Sequence, residues 1–111
     1  MFEKNLAVAQ LLDRYESVLS ARHRELLDYY YNQDLSLAEI AAEVGISRQG
    51  VRDGIKKAEE ELFFLENGLH LARNAESLRT AGERVLQLPL SGEAREAVLE
   101  LLEIAGVTPA Q

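Results

Sequence analysis

Apolar residues recur at three- and four-residue steps along almost the whole chain, and no segment alternates apolar and polar positions over a strand length. The pattern predicts an all-α protein. Phe2, Leu6, Val8, Ala9, Leu12, Tyr15 and Leu19 form a stripe that predicts a first helix over about residues 2–19. Ser20 is placed to cap a second helix, which carries Leu26, Leu27 and Tyr30 to about Tyr31. Asn32-Gln33-Asp34 reads as a short polar connection. Ser36 and Glu39 stand at the spacing of a capping box, in which each side chain satisfies a free amide near the other. The helix they open should close near Val44, at Gly45, and Ser47 should cap the next one from Arg48.

From Val51 the apolar positions are Val51, Ile55, Ala58, Leu62, Leu65, Leu69 and Ala72, a heptad stripe of alternating four- and three-residue steps. Glu66-Asn67-Gly68 interrupts it with turn chemistry. One long helix and two helices meeting near Gly68 both fit, and the turn residues favour a break there. Helical pattern resumes to about Gln87, and Leu88-Pro89-Leu90 ends it. Ser91 should cap a last helix bearing Ala94, Ala97, Val98, Leu101, Leu102 and Ala105, with Gly106 and Pro109 as stop signals. The organisation expected is one helical domain over residues 1–111, with a helix-turn-helix at about 36–57 and a C-terminal helical extension at about 69–106.

The most specific stretch is Ser36–Ile55, SLAEIAAEVGISRQGVRDGI. Ala41 is small enough for two helices to cross closely. Gly45, four residues on, accepts positive φ at little steric cost. Ile40, Val44, Ile46, Val51 and Ile55 are the apolar filling of the wedge between the helices, with Ile46 turned inward. The helix after Ser47 is then the one that enters a major groove. On a wheel of about 100° per residue from Arg48, Arg52 falls near 40°, Lys56 near 80°, Gln49 near 100°, Asp53 near 140° and Lys57 near 180°. Val51, Ile55 and Ala58 fall at about 280–340°. Arg48 and Gln49 lie in the first turn, where arginine can bond guanine and glutamine adenine. Arg52, Lys56 and Lys57 suit phosphates.

A basic helix face is, taken alone, most often a solvated one, and these cations are equally spaced to pair with acids. The motif around them shifts the balance. Gly50 and Gly54 weigh against strong binding, because each costs a helix about 1 kcal/mol relative to alanine. Asp53 would stand near phosphates.

Composition sharpens this picture in two ways. The chain has 111 residues, 47% of them hydrophobic and 28% charged, and no cysteine. That is the make-up of a folded domain without disulfides or thiolate metal sites. No uncharged stretch exceeds eight residues, too short for a membrane span. The first residues carry no signal-peptide pattern, so a cytoplasmic location is expected. The formal net charge is −7, which opposes nucleic-acid binding through bulk charge. Residues 36–57 are the exception: they hold four bases against three acids, all four bases in the second half. Residues 58–68 hold four acids and no base.

Leu35–Ala41 and Gly45–Val51, preceded by Arg24-Glu25-Leu26-Leu27 and Tyr30-Tyr31, resemble region 4 of the bacterial sigma-70 type factors. The closer resemblance is to the YlxM family of small bacterial helix-turn-helix proteins. It covers residues 2–68 well, with Asn5–Leu19 matching the leading helix and Val51–Lys57 the end of the recognition helix. Beyond residue 68 it weakens. The resemblance implies an all-helical homodimer and a DNA-binding, regulatory role tied to the signal recognition particle pathway. It carries DNA-facing roles onto Ser47, Arg48, Gln49, Arg52, Lys56 and Lys57. Alanine is usual in the family where Gly50 stands.

Two other function classes compete for the same residues. Catalysis finds little support: His23 and His70 are far apart, neither has metal-ligand spacing, and no glycine-rich phosphate loop is present. No enzyme activity, cofactor or metal is expected. The stronger rival is a protein-interaction adaptor, in which Glu59-Glu60-Glu61 and Glu66 face a basic partner. Phe63 and Phe64 are expected to pack on the first helix or across a dimer. A dimer would also place two recognition helices on one duplex.

Overall fold

Asn5 sets where the first helix begins. Its backbone is extended and its Oδ1 accepts the Ala7 N–H at 2.9 Å. The computed structural model describes residues 4–109, so the expectation for Phe2 lies outside the described residues. Helix α1 runs Leu6–Tyr15 and tightens into a 3₁₀ turn over Glu16–Val18. It is shorter than the stripe suggests, and its inner face differs. Val8, Leu11, Leu12 and Tyr15 are buried, whereas Leu6 is 83% exposed. At 100° per residue Leu6 lies roughly 170° from the middle of that buried group.

Ser20 Oγ accepts the His23 N–H at 3.2 Å and opens α2, Ala21–Leu27. The helix does not simply continue to Tyr31. It widens into a π-helical turn over Asp28–Asn32, closed by the Gln33 N–H donating to the Asp28 carbonyl at 3.0 Å. Within that turn Tyr30 points inward and is buried. The chain then reverses through Asp34, at φ 56°.

The capping box forms as the sequence predicts. The Glu39 N–H donates to Ser36 Oγ at 3.1 Å and the Ser36 N–H to Glu39 Oε1 at 3.0 Å. Helix α3 spans Leu37–Val44 and ends on Gly45 at φ 79°. Helix α4, Arg48–Leu69, is a single 22-residue helix. Gly68 itself lies inside it, and the break expected near that residue comes just beyond. The break falls at His70, at φ 56°, after which α5 spans Leu71–Leu86. Ser91 Oγ caps α6, Gly92–Ile104, by accepting the Ala94 N–H at 3.1 Å. Arg95 Nη2 donates to the Leu86 carbonyl at 2.8 Å, which satisfies an end group of α5.

The described residues are all helix, turn or loop. The chain divides into two compact units, Met1–Leu69 and His70–Gln111. In the first, α4 packs against α1, α2 and α3. Val51, Ile55, Ala58 and Leu62 on α4 are fully buried there, with Val8, Leu12, Leu26, Leu27 and Ile40 on the helices around them. Gly54 makes the α2 contact possible, since a Cβ there would stand 2.6 Å from Leu26 Cδ1. In the second unit α5 packs on α6, and Ala75, Leu102 and Val107 form the core with Leu86 and Val98 against it. Gly82 lies directly under Leu102.

Candidate nucleic-acid interface

The turn between α3 and α4 is built from three short hydrogen-bonded steps. The Gly45 N–H donates to the Ala41 carbonyl at 2.9 Å and the Ile46 N–H to the same oxygen at 3.3 Å. Ser47 Oγ accepts the Gly50 N–H at 2.9 Å and caps α4. Ala41 is buried at the crossing. Ile46 departs from expectation: it is 37% exposed, beside Gly50 rather than inside the wedge. Ile40, Val51 and Ile55, all fully buried, fill that space without it, and Val44 is half-buried.

Helix α4 emerges from this turn with one line of residues sunk in the core and the rest in solvent. Ser47, Arg48, Gln49, Arg52, Lys56 and Lys57 are all exposed, and the buried line of Val51, Ile55 and Ala58 runs away from them. Among the described residues neither Arg48 nor Lys57 forms an ion pair. Gln49 is held: its Nε2 donates to Asp53 Oδ1 at 2.9 Å. Burial raises the Glu59 pKa, outweighing the hydrogen bond from Tyr31 and the smaller pull of nearby Lys56, which both favour the ionised carboxylate.

The acids that follow do not form the free surface their sequence suggests. Glu59 accepts the Tyr31 hydroxyl proton, and the Tyr31 oxygen in turn accepts the Asn5 N–H at 3.2 Å. Glu61 Oε2 meets His23 Nδ1 at 2.8 Å. Glu66 Oε1 accepts from the Tyr15 hydroxyl at 2.6 Å. Three of the four acids of residues 58–68 therefore tie α4 to α1, α2 and the π-helical turn. Burial and the bond to Glu59 push the Tyr31 phenol well above its usual range. His23 belongs to this seam rather than to open surface. Sequence reading missed the seam, though one signal was present: Glu59 and Glu66 are seven apart and flank the heptad stripe. Phe63 and Phe64 do not fill the first unit's core. Phe64 is 77% exposed.

No group of three His, Asp or Glu side chains among the described residues is placed to hold a metal ion. No buried side-chain nitrogen or oxygen among them lacks a hydrogen-bond partner. No helix among them is long and apolar enough to cross a membrane.

A protein family described as "putative helix-turn-helix protein, YlxM / p13 like" (UPF0122) matches residues 2–102. Similarity thus reaches well past residue 68, where sequence reading saw it weaken. A UPF0122 protein of Shouchella clausii is 37% identical over 103 residues, covering 93% of this chain and 94% of the relative. One from Clostridium kluyveri is 42% identical over 76 residues, 68% of each chain. One from Limosilactobacillus fermentum is 38% identical over 89 residues, 80% of this chain and 79% of the relative.

Proposed function

The chain belongs to the UPF0122 family of YlxM / p13-like helix-turn-helix proteins, and from that premise we propose that it binds double-stranded DNA through the major groove. The observation that carries the reading is the exposed start of α4, where Arg48, Gln49, Arg52, Lys56 and Lys57 surround a helix anchored by Val51, Ile55 and Ala58. In this proposal Arg48 and Gln49 face base edges, while Arg52, Lys56 and Lys57 meet phosphates. Ser47 supports them in two ways. Its oxygen caps the helix, and its hydroxyl proton stays available to a phosphate.

The finer readings belong to the same proposal and rest on the family resemblance: a homodimer, a regulatory role, a link to the signal recognition particle pathway, and a cytoplasmic setting. Two protomers on one duplex would offset a weak single site. The adaptor alternative loses support, because Glu59, Glu61 and Glu66 are occupied within the chain.

Fluorescence anisotropy with pooled duplexes at low salt is the test. Binding by the wild type, lost on the double change Arg48→Ala and Arg52→Ala with the helical signal kept, is the expected result. No wild-type binding, or undiminished binding by that double variant, rejects the proposal. A pull-down that recovers no signal-recognition component rejects the pathway link.

A further inference from the structure

Gln49 and Asp53 stand one turn apart on the exposed start of α4, joined by the Nε2–H of Gln49 donating to Asp53 Oδ1 at 2.9 Å. An aspartate among four cations weakens any sequence-independent attraction to phosphate, so its presence on this face calls for another role. A carboxamide has one edge that accepts and one that donates, and a free glutamine turns either way. An ionised aspartate only accepts. It therefore holds Gln49 with the nitrogen toward itself, leaving the oxygen and one N–H for an incoming partner. That acceptor–donor pair complements adenine in the major groove, which offers the N6 amine as donor and N7 as acceptor. Guanine offers two acceptors there, thymine an acceptor and a methyl group, and cytosine a donor alone.

The geometry points to Asp53 as a positioning residue that orients Gln49 to read adenine, giving a basic helix face a base preference. The inference rests on the DNA-binding reading of the same face. It assigns Asp53 a use that its charge alone argues against.

Selection from random duplexes, followed by competition binding with the full chain, tests it. The wild type should select an A·T pair at a fixed place in its site and prefer it to G·C by roughly 5- to 150-fold, the worth of one bidentate contact. Asp53→Ala should bind unselected DNA at least as tightly, since a negative charge is gone, while its preference at that pair drops below about threefold. Asp53→Asn can donate as well as accept, so it no longer fixes which edge of Gln49 faces outward and should lower the preference toward that of Asp53→Ala. An adenine analogue lacking N7 should weaken the wild type and leave Asp53→Ala unaffected. Binding without an adenine preference, or a preference that survives Asp53→Ala, overturns the role of Asp53 and leaves DNA binding standing. Absence of DNA binding at low salt overturns both.

Discussion

Three glycines inside helices look alike in the sequence and are distinguished by what a methyl group would touch. At Gly54 it would meet Leu26 Cδ1 at 2.6 Å; at Gly82 it would meet three atoms of Leu102 at 2.8, 2.9 and 3.3 Å. Both leucines are almost wholly buried. Overpacking of this kind costs about 1–3 kcal/mol, against a helix-propensity gain of about 1 kcal/mol for alanine. Gly54→Ala and Gly82→Ala should therefore lower the denaturation midpoint. Nothing lies within 4 Å of a Cβ at Gly68, so Gly68→Ala should raise it, through a stability gain of up to about 1 kcal/mol. The sequence made Gly54 look like a pure cost to the helix. Its benefit is a contact with a residue 28 positions earlier, which no local pattern shows. Tyr31 gives a second expectation at this scale. Its raised pKa means that the unfolded chain ionises first as pH climbs past 10, so stability should fall there. The fall, followed by chemical denaturation at a series of alkaline pH values, should be shallower in Tyr31→Phe.

Helix starts were legible where a serine sets them, but not at Asn5, whose cap opens α1 later than the stripe suggests. Ser20, Ser36, Ser47 and Ser91 each cap the helix that the pattern assigns to them. Boundaries set by the backbone were legible where a glycine marks them, as Gly45 does at the end of α3, and not elsewhere. The π-helical turn at Asp28–Asn32 has no sequence signature. The break after α4 passes over Gly68 and uses His70 in the left-handed region. A glycine within a helix is tolerated when neighbouring packing holds the helix, and the stripe through Leu62 and Leu65 does so. A left-handed histidine carries a steric penalty of about 1–2 kcal/mol that glycine avoids. His70→Gly should thus stabilise the chain, because the freedom it adds to the unfolded state costs only about 0.4–1 kcal/mol, and a lowered melting temperature would contradict this. Thermal unfolding of the variant measures the balance. At the candidate interface, the basic residues and their exposure were legible from the helical wheel. The Gln49–Asp53 bond and the engagement of the acids were not, because both depend on which rotamers the fold selects.

For the whole molecule, charge arrangement matters more than charge total. The chain carries −7 overall, yet much of its densest acidic segment is drawn into the seam along α4, while the four cations of residues 48–57 stay at the surface. If Arg52, Lys56 and Lys57 each neutralise one phosphate, the logarithm of affinity should fall against that of salt with a slope of about −3 per protomer. Titrations at several salt concentrations read this slope, and a value near zero would mean that these side chains meet no phosphate.

Four fully buried positions, Val51, Ile55, Ala58 and Leu62, run down the same helix that presents the basic residues. Under the proposed DNA-binding role, the face that would meet the duplex is consequently formed before any duplex arrives. Encounter then requires orientation alone, with no segment left to order. In stopped-flow mixing, association should follow a single exponential whose rate rises linearly with DNA concentration, without the plateau that a slow rearrangement imposes.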